Sequence, residues 1–174
     1  MNDTSFIVGN LCSILAMCTD SFSGTRKTAK GVLWVQTLSQ VIYGCGAFVL
    51  GGYSATAQNC VSILRNLVAI NNLGNRFVEW ILVALGVVLG IACNNLGLIG
   101  LLPVAGSLMY TLAIFRFKND QRSLKIALII SAVMYALFNG TILNLTGAIT
   151  NTVVAAITGI NLIRSKNSST EEIP

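Results

Sequence analysis

Histidine is absent from this chain, and its 174 residues include only six Asp or Glu and two Pro. Without His, the commonest general base and a common metal ligand are missing. The five cysteines, Cys12, Cys18, Cys45, Cys60 and Cys93, are scattered and form no CxxC pair. Neither a zinc site nor a disulfide framework is supported, and each cysteine reads as a small buried hydrophobe. Asp3, Asp120, Glu171 and Glu172 lie outside the apolar runs, Asp20 ends one of them, and Glu79 sits three residues after Arg76, the spacing of an ion pair on a helix surface. No carboxylate falls in mid-run, the usual place for a proton relay. No nucleophile–base constellation is recognisable either. No enzyme and no cofactor or metal are expected. Charge of either sign is scarce: 10% of residues, against about 25% in soluble domains. That is too little to cover a water-facing surface.

What is present is apolar sequence from end to end: 54% hydrophobic residues and a mean hydropathy of +0.75. Clusters of Gly, Asn, Ser and charge break it into candidate spans at 5–20, 31–50, 53–70, 78–94, 97–116, 124–142 and 145–163. At 1.5 Å per residue, each is about long enough to cross a ~30 Å hydrocarbon core. The class is therefore all-α, a polytopic membrane protein with seven transmembrane helices. "MNDTSFIVGNLCSILAMC" has no basic residue before its apolar run, so it is read as an uncleaved first span.

Orientation follows from the cations. With the N-terminus outside, Arg26, Lys27, Lys30, Arg76, Arg116, Lys118, Arg122, Lys125, Arg164 and Lys166 fall in or beside loops on one side. Arg65 reads as an eleventh, near the inner end of span three, snorkelling to the headgroups. That side is the cytoplasm. The expected topology is multi-pass, with the N-terminus outside and a cytoplasmic C-terminus. The net charge of +5 is topological, and nucleic acid is not an expected partner.

Residues 9–70 slide onto 101–162 without a gap, carrying spans one to three onto five to seven and pairing Ser39 with Ser131, Tyr43 with Tyr135 and Asn59 with Asn151. The expected organisation is a first triple-helix bundle (1–70), a linker helix (71–96), a second, parallel triple-helix bundle (97–163) and a polar tail (164–174). In span two, Gln36, Ser39, Gln40 and Tyr43 share a face; span three presents Asn59, Ser62 and Asn66, while Gln58 is ambiguous between packing and cavity. Asn59 and Asn151, at matching depth, are the leading candidates to touch a solute, with Ser39, Ser131, Tyr43 and Tyr135 behind them. Interhelical hydrogen bonding explains the same residues without a ligand. Pro103, within span five, is a candidate hinge or static kink.

"LLPVAGSLMYTLAIFRFK", "VLGGYSATAQNCVSILRNLVAI" and the closing "GINLIR" resemble the YgjV-type inner-membrane proteins of bacteria over most of the chain. That resemblance implies an inner-membrane location and carries over no catalytic or substrate residue. More distantly, the layout is similar to that of the SWEET and PQ-loop transporters, two triple-helix bundles joined by a linker helix. SWEETs place an Asn on the third helix of each bundle near the sugar, as Asn59 and Asn151 are placed here. The chain has no Pro-Gln dipeptide and lacks three of the four bundle prolines. The expectation is a facilitative transporter of a small, neutral polar solute, sugar- or nucleoside-like, with the lipid bilayer as its environment. A homo-oligomer is compatible with the sequence. The alternative is a non-transporting membrane protein: a receptor, assembly factor or partner subunit.

Overall fold

Most helices in this chain begin where a short polar side chain takes up a free backbone N–H. Asn2 accepts from Ser5 N at 3.0 Å, Thr28 from Gly31 N at 3.1 Å, Asn75 from Val78 N at 2.9 Å, and Asp120 from Arg122 N at 3.0 Å. The computed structural model describes residues 2–22, 26, 28–117 and 120–168; Lys27, Lys118, Glu171 and Glu172 lie outside them. The described residues form seven α-helices and no strand: α1 (Asp3–Ser21), α2 (Ala29–Val49), α3 (Tyr53–Ile70), α4 (Arg76–Ala92), α5 (Leu102–Arg116), α6 (Gln121–Thr141) and α7 (Leu145–Ser168). A single 3-10 turn, Ile99–Leu101, precedes α5.

Most boundaries lie within three residues of those expected, and two differ by five. α7 continues through Ser168, because no Pro or Gly stops it and its closing cations favour the negative end of the helix dipole. α5 begins only at Leu102, since Gly97 adopts φ +59° and the chain then runs through the 3-10 turn Ile99–Leu101 before the α-helix starts. Pro103 thus stands in the first turn, where its missing N–H would have had no partner. It removes no bond from the ladder, and the physical basis for a hinge there is gone. The proline is fully buried.

The packing is cyclic. α2 lies between α1 and α3, α6 lies between α5 and α7, and the two groups meet where α3 touches α5 and α1 touches α7. α4 lies against α3 and α5. The α2–α3 and α6–α7 links are built alike. Gly52 N donates to Ala47 O at 2.8 Å and Asn144 N to Asn139 O at 2.9 Å; Gly51 N donates to Phe48 O at 3.0 Å and Leu143 N to Gly140 O at 3.3 Å. Each turns on a left-handed residue, Gly51 at φ +78° and Leu143 at φ +58°. The starts and ends of α2 and the start of α3 recur 92 residues later in α6 and α7.

These two turns meet at one end of the molecule. Ala47, Leu50, Ala55, Phe138 and Ile142 form a buried cluster there, with Leu96 and Leu102 packed against it. The Asn10 amide of α1 donates to Leu143 O at 3.0 Å and accepts from Thr146 N at 3.2 Å; Asn95 donates to Gly51 O at 2.9 Å. This end is closed. The opposite end holds the links after α1, α3 and α5, where Arg26, Lys30, Arg76 and Arg122 lie. Arg76 and Glu79 form no ion pair there, contrary to their spacing.

Large apolar side chains point outward on the helices: Ile7, Leu11 and Leu15 on α1, Trp34 and Leu38 on α2, Phe77, Trp80 and Val88 on α4, Ile149, Val153 and Ile157 on α7. Polar residues such as Ser13, Ser39, Gln58, Asn66 and Ser131 are buried instead. A surface of this kind suits hydrocarbon rather than water. By length and composition, α6 (Arg122–Thr141) and α7 (Leu145–Ile163) qualify as membrane spans, while the apolar stretch Ile99–Ala113 is shorter. The cysteines share the outward face: Cys18, Cys45, Cys60 and Cys93 are exposed and Cys12 is half-buried. Only their small apolar character matches the buried role expected of them.

Candidate functional site

A helix turns about 100° per residue, so residues three, four and seven apart share a face. On α3 that rule puts Gln58, Val61, Ser62 and Arg65 together. On α5 it aligns Val104, Ser107, Leu108 and Thr111, and on α4 Leu82, Val83, Gly86 and Val87. These three faces enclose a cavity of about 20 Å³. That volume is close to the minimum that holds one water molecule. Gln58 is 2% exposed, and its amide donates to the Gly86 carbonyl at 2.7 Å, linking α3 to α4. Gly90, a turn further along α4, must be glycine for this contact: a Cβ there would lie 2.5 Å from Gln58 Nε2 and would overlap the Val104 methyls.

Among the described residues, Arg65 supplies the one charge lining this cavity. It lies five residues, about 7.5 Å at 1.5 Å per residue, from the basic end of α3. Side chains lean toward the N-terminus of their helix, and the N-terminus of α3 is at the closed end. Arg65 therefore leans inward from the basic end; it is half-buried and lines the cavity with Ser62, Ser107 and Thr111, its charge within electrostatic reach of the Tyr110 and Tyr135 phenols. The Tyr135 phenol also meets the Ser107 hydroxyl. Lining the cavity is a second role for a cation whose place in the sequence suggests snorkelling to headgroups. No described residue forms an ion pair with Arg65. A larger depression of about 540 Å³, lined by Phe48, Tyr53, Cys60, Leu89 and neighbours, is an open groove on the outer face of α2, α3 and α4.

The family model of the bacterial inner membrane proteins Imp-YgjV matches residues 7–169. The chain belongs to that family. Neither the curated proteins nor the solved structures searched contain a match. Membership places this Imp-YgjV protein in the bacterial inner membrane, in keeping with its outward-facing apolar side chains.

The polar residues singled out in the sequence of this Imp-YgjV protein lie in separate places. Ser39 is fully buried and donates to Gln36 O at 2.9 Å and to the Asp20 carboxylate at 3.2 Å, so it joins α2 to the last turn of α1. Tyr43, one turn on, faces the same Asp20. Ser131 packs where α6 approaches α5: a Cβ at Gly106 would lie 3.3 Å from its backbone and hydroxyl oxygens. Tyr135, one turn on, joins Arg65. Asn59 packs against Gly44 of α2. Asn151 donates to Gly147 O of its own helix at 2.8 Å. Neither amide lines the cavity, and α3 and α7 pack on different neighbours.

Gln58 and Arg65 are the functional candidates that reading polar positions one by one undervalues. Their signal is nonetheless in the sequence. Gln58, Ser62 and Arg65 share a stripe, Ser107 and Thr111 share another, and Gly86 and Gly90 mark a close approach. It is found by asking which stripes could face one another.

Proposed function

We propose that this Imp-YgjV protein is a seven-span membrane protein of two parallel triple-helix bundles, α1–α3 and α5–α7, joined by α4. In this reading it moves a small polar solute passively between them. The N-terminus and the closed end face the periplasm and the basic end faces the cytoplasm, as the cations require. The paired turns at Gly51 and Leu143 and the cyclic packing support a two-fold arrangement along the membrane normal, a plan known among transporters. The observation that carries the reading is the half-buried cation of Arg65, which lines a cavity with Ser62, Ser107 and Thr111 where the two groups of helices meet. An ionisable residue within a membrane is costly and is best explained by function.

Access would alternate by parting the contact between the paired turns. Gly52 there sits against Phe138 and Ile142, with a Cβ at that position only 3.0 Å from Ile142 Cδ1 and 3.1 Å from Phe138 Cζ. The closed end and the one-water cavity correspond to a sealed state. The test is flux into liposomes carrying the purified protein, using a panel of radiolabelled sugars, nucleosides and small organic acids. Uptake of at least one solute above empty liposomes is expected. Uptake of none would favour the second reading, a non-transporting receptor or partner subunit, to which the small cavity also points: ligand pockets generally run to about 300–1,000 Å³.

A further inference from the structure

An arginine held inside an apolar bundle leaves a charge that must be met by something. The described carboxylates do not meet it. Asp20 is engaged by Ser39, Asp120 by the first turn of α6, Asp3 lies at the far end of α1, and Glu79 forms no ion pair. Sharing the cavity wall with Arg65 are the hydroxyls of Ser62, Ser107 and Thr111, with the Tyr110 and Tyr135 phenols within electrostatic reach; these can orient a negative group but cannot supply one. We infer that Arg65 and these hydroxyls form the binding site for a small organic monocarboxylate. The guanidinium fork presents parallel N–H donors matched to the two oxygens of a carboxylate. One cation balances one negative charge, whereas a phosphate dianion would bury an excess. The rest of the cavity wall, Val61, Leu82, Val83, Val87, Val104 and Leu108, is apolar and suits a short hydrocarbon tail. A solute of this kind replaces the neutral sugar- or nucleoside-like one expected from the paired asparagines. It rests on the transport reading only for its movement; the binding site stands on the geometry alone.

The cavity of about 20 Å³ must widen to admit such a ligand. α4 is the wall best placed to yield, because it packs chiefly on α3 and α5 and is bonded to α3 through Gln58. Binding is read by thermal unfolding of the protein in neutral phosphatidylcholine nanodiscs, with propionate, its uncharged isostere propionamide, and inorganic phosphate as probes. A ligand that binds the folded state raises the melting temperature. Propionate is expected to raise it by several degrees, with propionamide and phosphate giving little. Arg65→Gln removes the propionate shift and Arg65→Lys weakens it. Ser107→Ala and Thr111→Val, which leave the charge in place, weaken propionate binding about tenfold and serve if Arg65→Gln does not fold. Equal shifts from propionate and propionamide, a larger shift from phosphate, or a propionate shift unchanged in these variants overturns the inference. So does loss of the propionate shift on adding phosphatidylglycerol, since a lipid headgroup would then be the anion. The flux assay separates the two ideas. Propionate binding without flux defeats transport and leaves the site, while flux of a neutral solute with no propionate shift leaves transport and defeats the site.

Discussion

Gly86 and Gly90 lie one turn apart on the same face of α4, yet the structure assigns them opposite tolerances. A Cβ at Gly86 would meet Gln58 Oε1 at 3.5 Å and Val61 Cγ1 at 3.6 Å, ordinary van der Waals contact. A Cβ at Gly90 would meet Gln58 Nε2 at 2.5 Å and Val104 Cγ1 at 3.2 Å, with Val104 Cγ2 closer still. Forcing a methyl into so packed a place costs about 1–3 kcal/mol. Displacing the Gln58 amide from the Gly86 carbonyl adds about 1 kcal/mol. The helix propensity gained in going from Gly to Ala returns about 0.8 kcal/mol. The balance for Gly90→Ala is a loss of about 1–3 kcal/mol, while Gly86→Ala falls between neutral and a gain of about 1 kcal/mol. SDS-titrated unfolding in mixed micelles, followed by tryptophan fluorescence, measures both; Trp80 reports from α4 itself. In the double variant Gly90→Ala, Val104→Ala the combined cost is expected to fall below the sum of the single costs, because the second change removes the methyls that the first one meets. Equal stabilities for Gly86→Ala and Gly90→Ala would refute the packing of α4 against Gln58 and Val104, and with it the enclosure of the cavity.

Two further outcomes follow from local geometry. Gly51 and Leu143 occupy matching left-handed positions, where a side chain costs about 1–2 kcal/mol. Gly51→Ala should therefore lower the unfolding midpoint, and Leu143→Gly should hold or raise it because that leucine is 49% exposed and gives up little packing. A stabilising Gly51→Ala would disprove the turn. Asp120, outside the α6 span, is held below the ordinary carboxylate value of 3.8, first by the Ser123 hydroxyl, then by the backbone N–H groups of Ser123 and Arg122. A lowered value means the unfolded chain takes up the proton first, so the stability Asp120 contributes is present above pH 3.8 and disappears as pH falls through its lowered value. Asp120→Asn keeps a capping oxygen but removes the titration. Acid unfolding below pH 3.8 should become shallower in that variant, and an unchanged acid limb would count against the cap.

Much of this architecture is legible along the chain because each signal is local. The capping residues Thr28, Asn75 and Asp120 stand beside the breaks in the apolar runs, and Gly51 and Gly52 mark a turn on their own. The match between Asn59 and Asn151 is equally easy to see, but depth is not direction. Asn59 turns toward Gly44 of α2 and Asn151 bonds its own helix, and sequence register cannot report either. Pro103 misleads in the opposite way: its effect depends on whether the helix has already begun, and here it has only just done so.

Composition alone determined that the chain is helical and suited to a membrane, since so few charges cannot solvate a protein surface. The distribution of cations marked one end of the molecule as basic. Which neighbour each helix meets was decided only by tertiary packing. Gln58 and Asn59 are adjacent and chemically alike, but about 100° of helical rotation separates them. α4, lying against α3 and α5, turns one of them into a cavity wall and leaves the other against α2. The same packing set Arg65, a cation near one end of its helix, on the wall of that cavity.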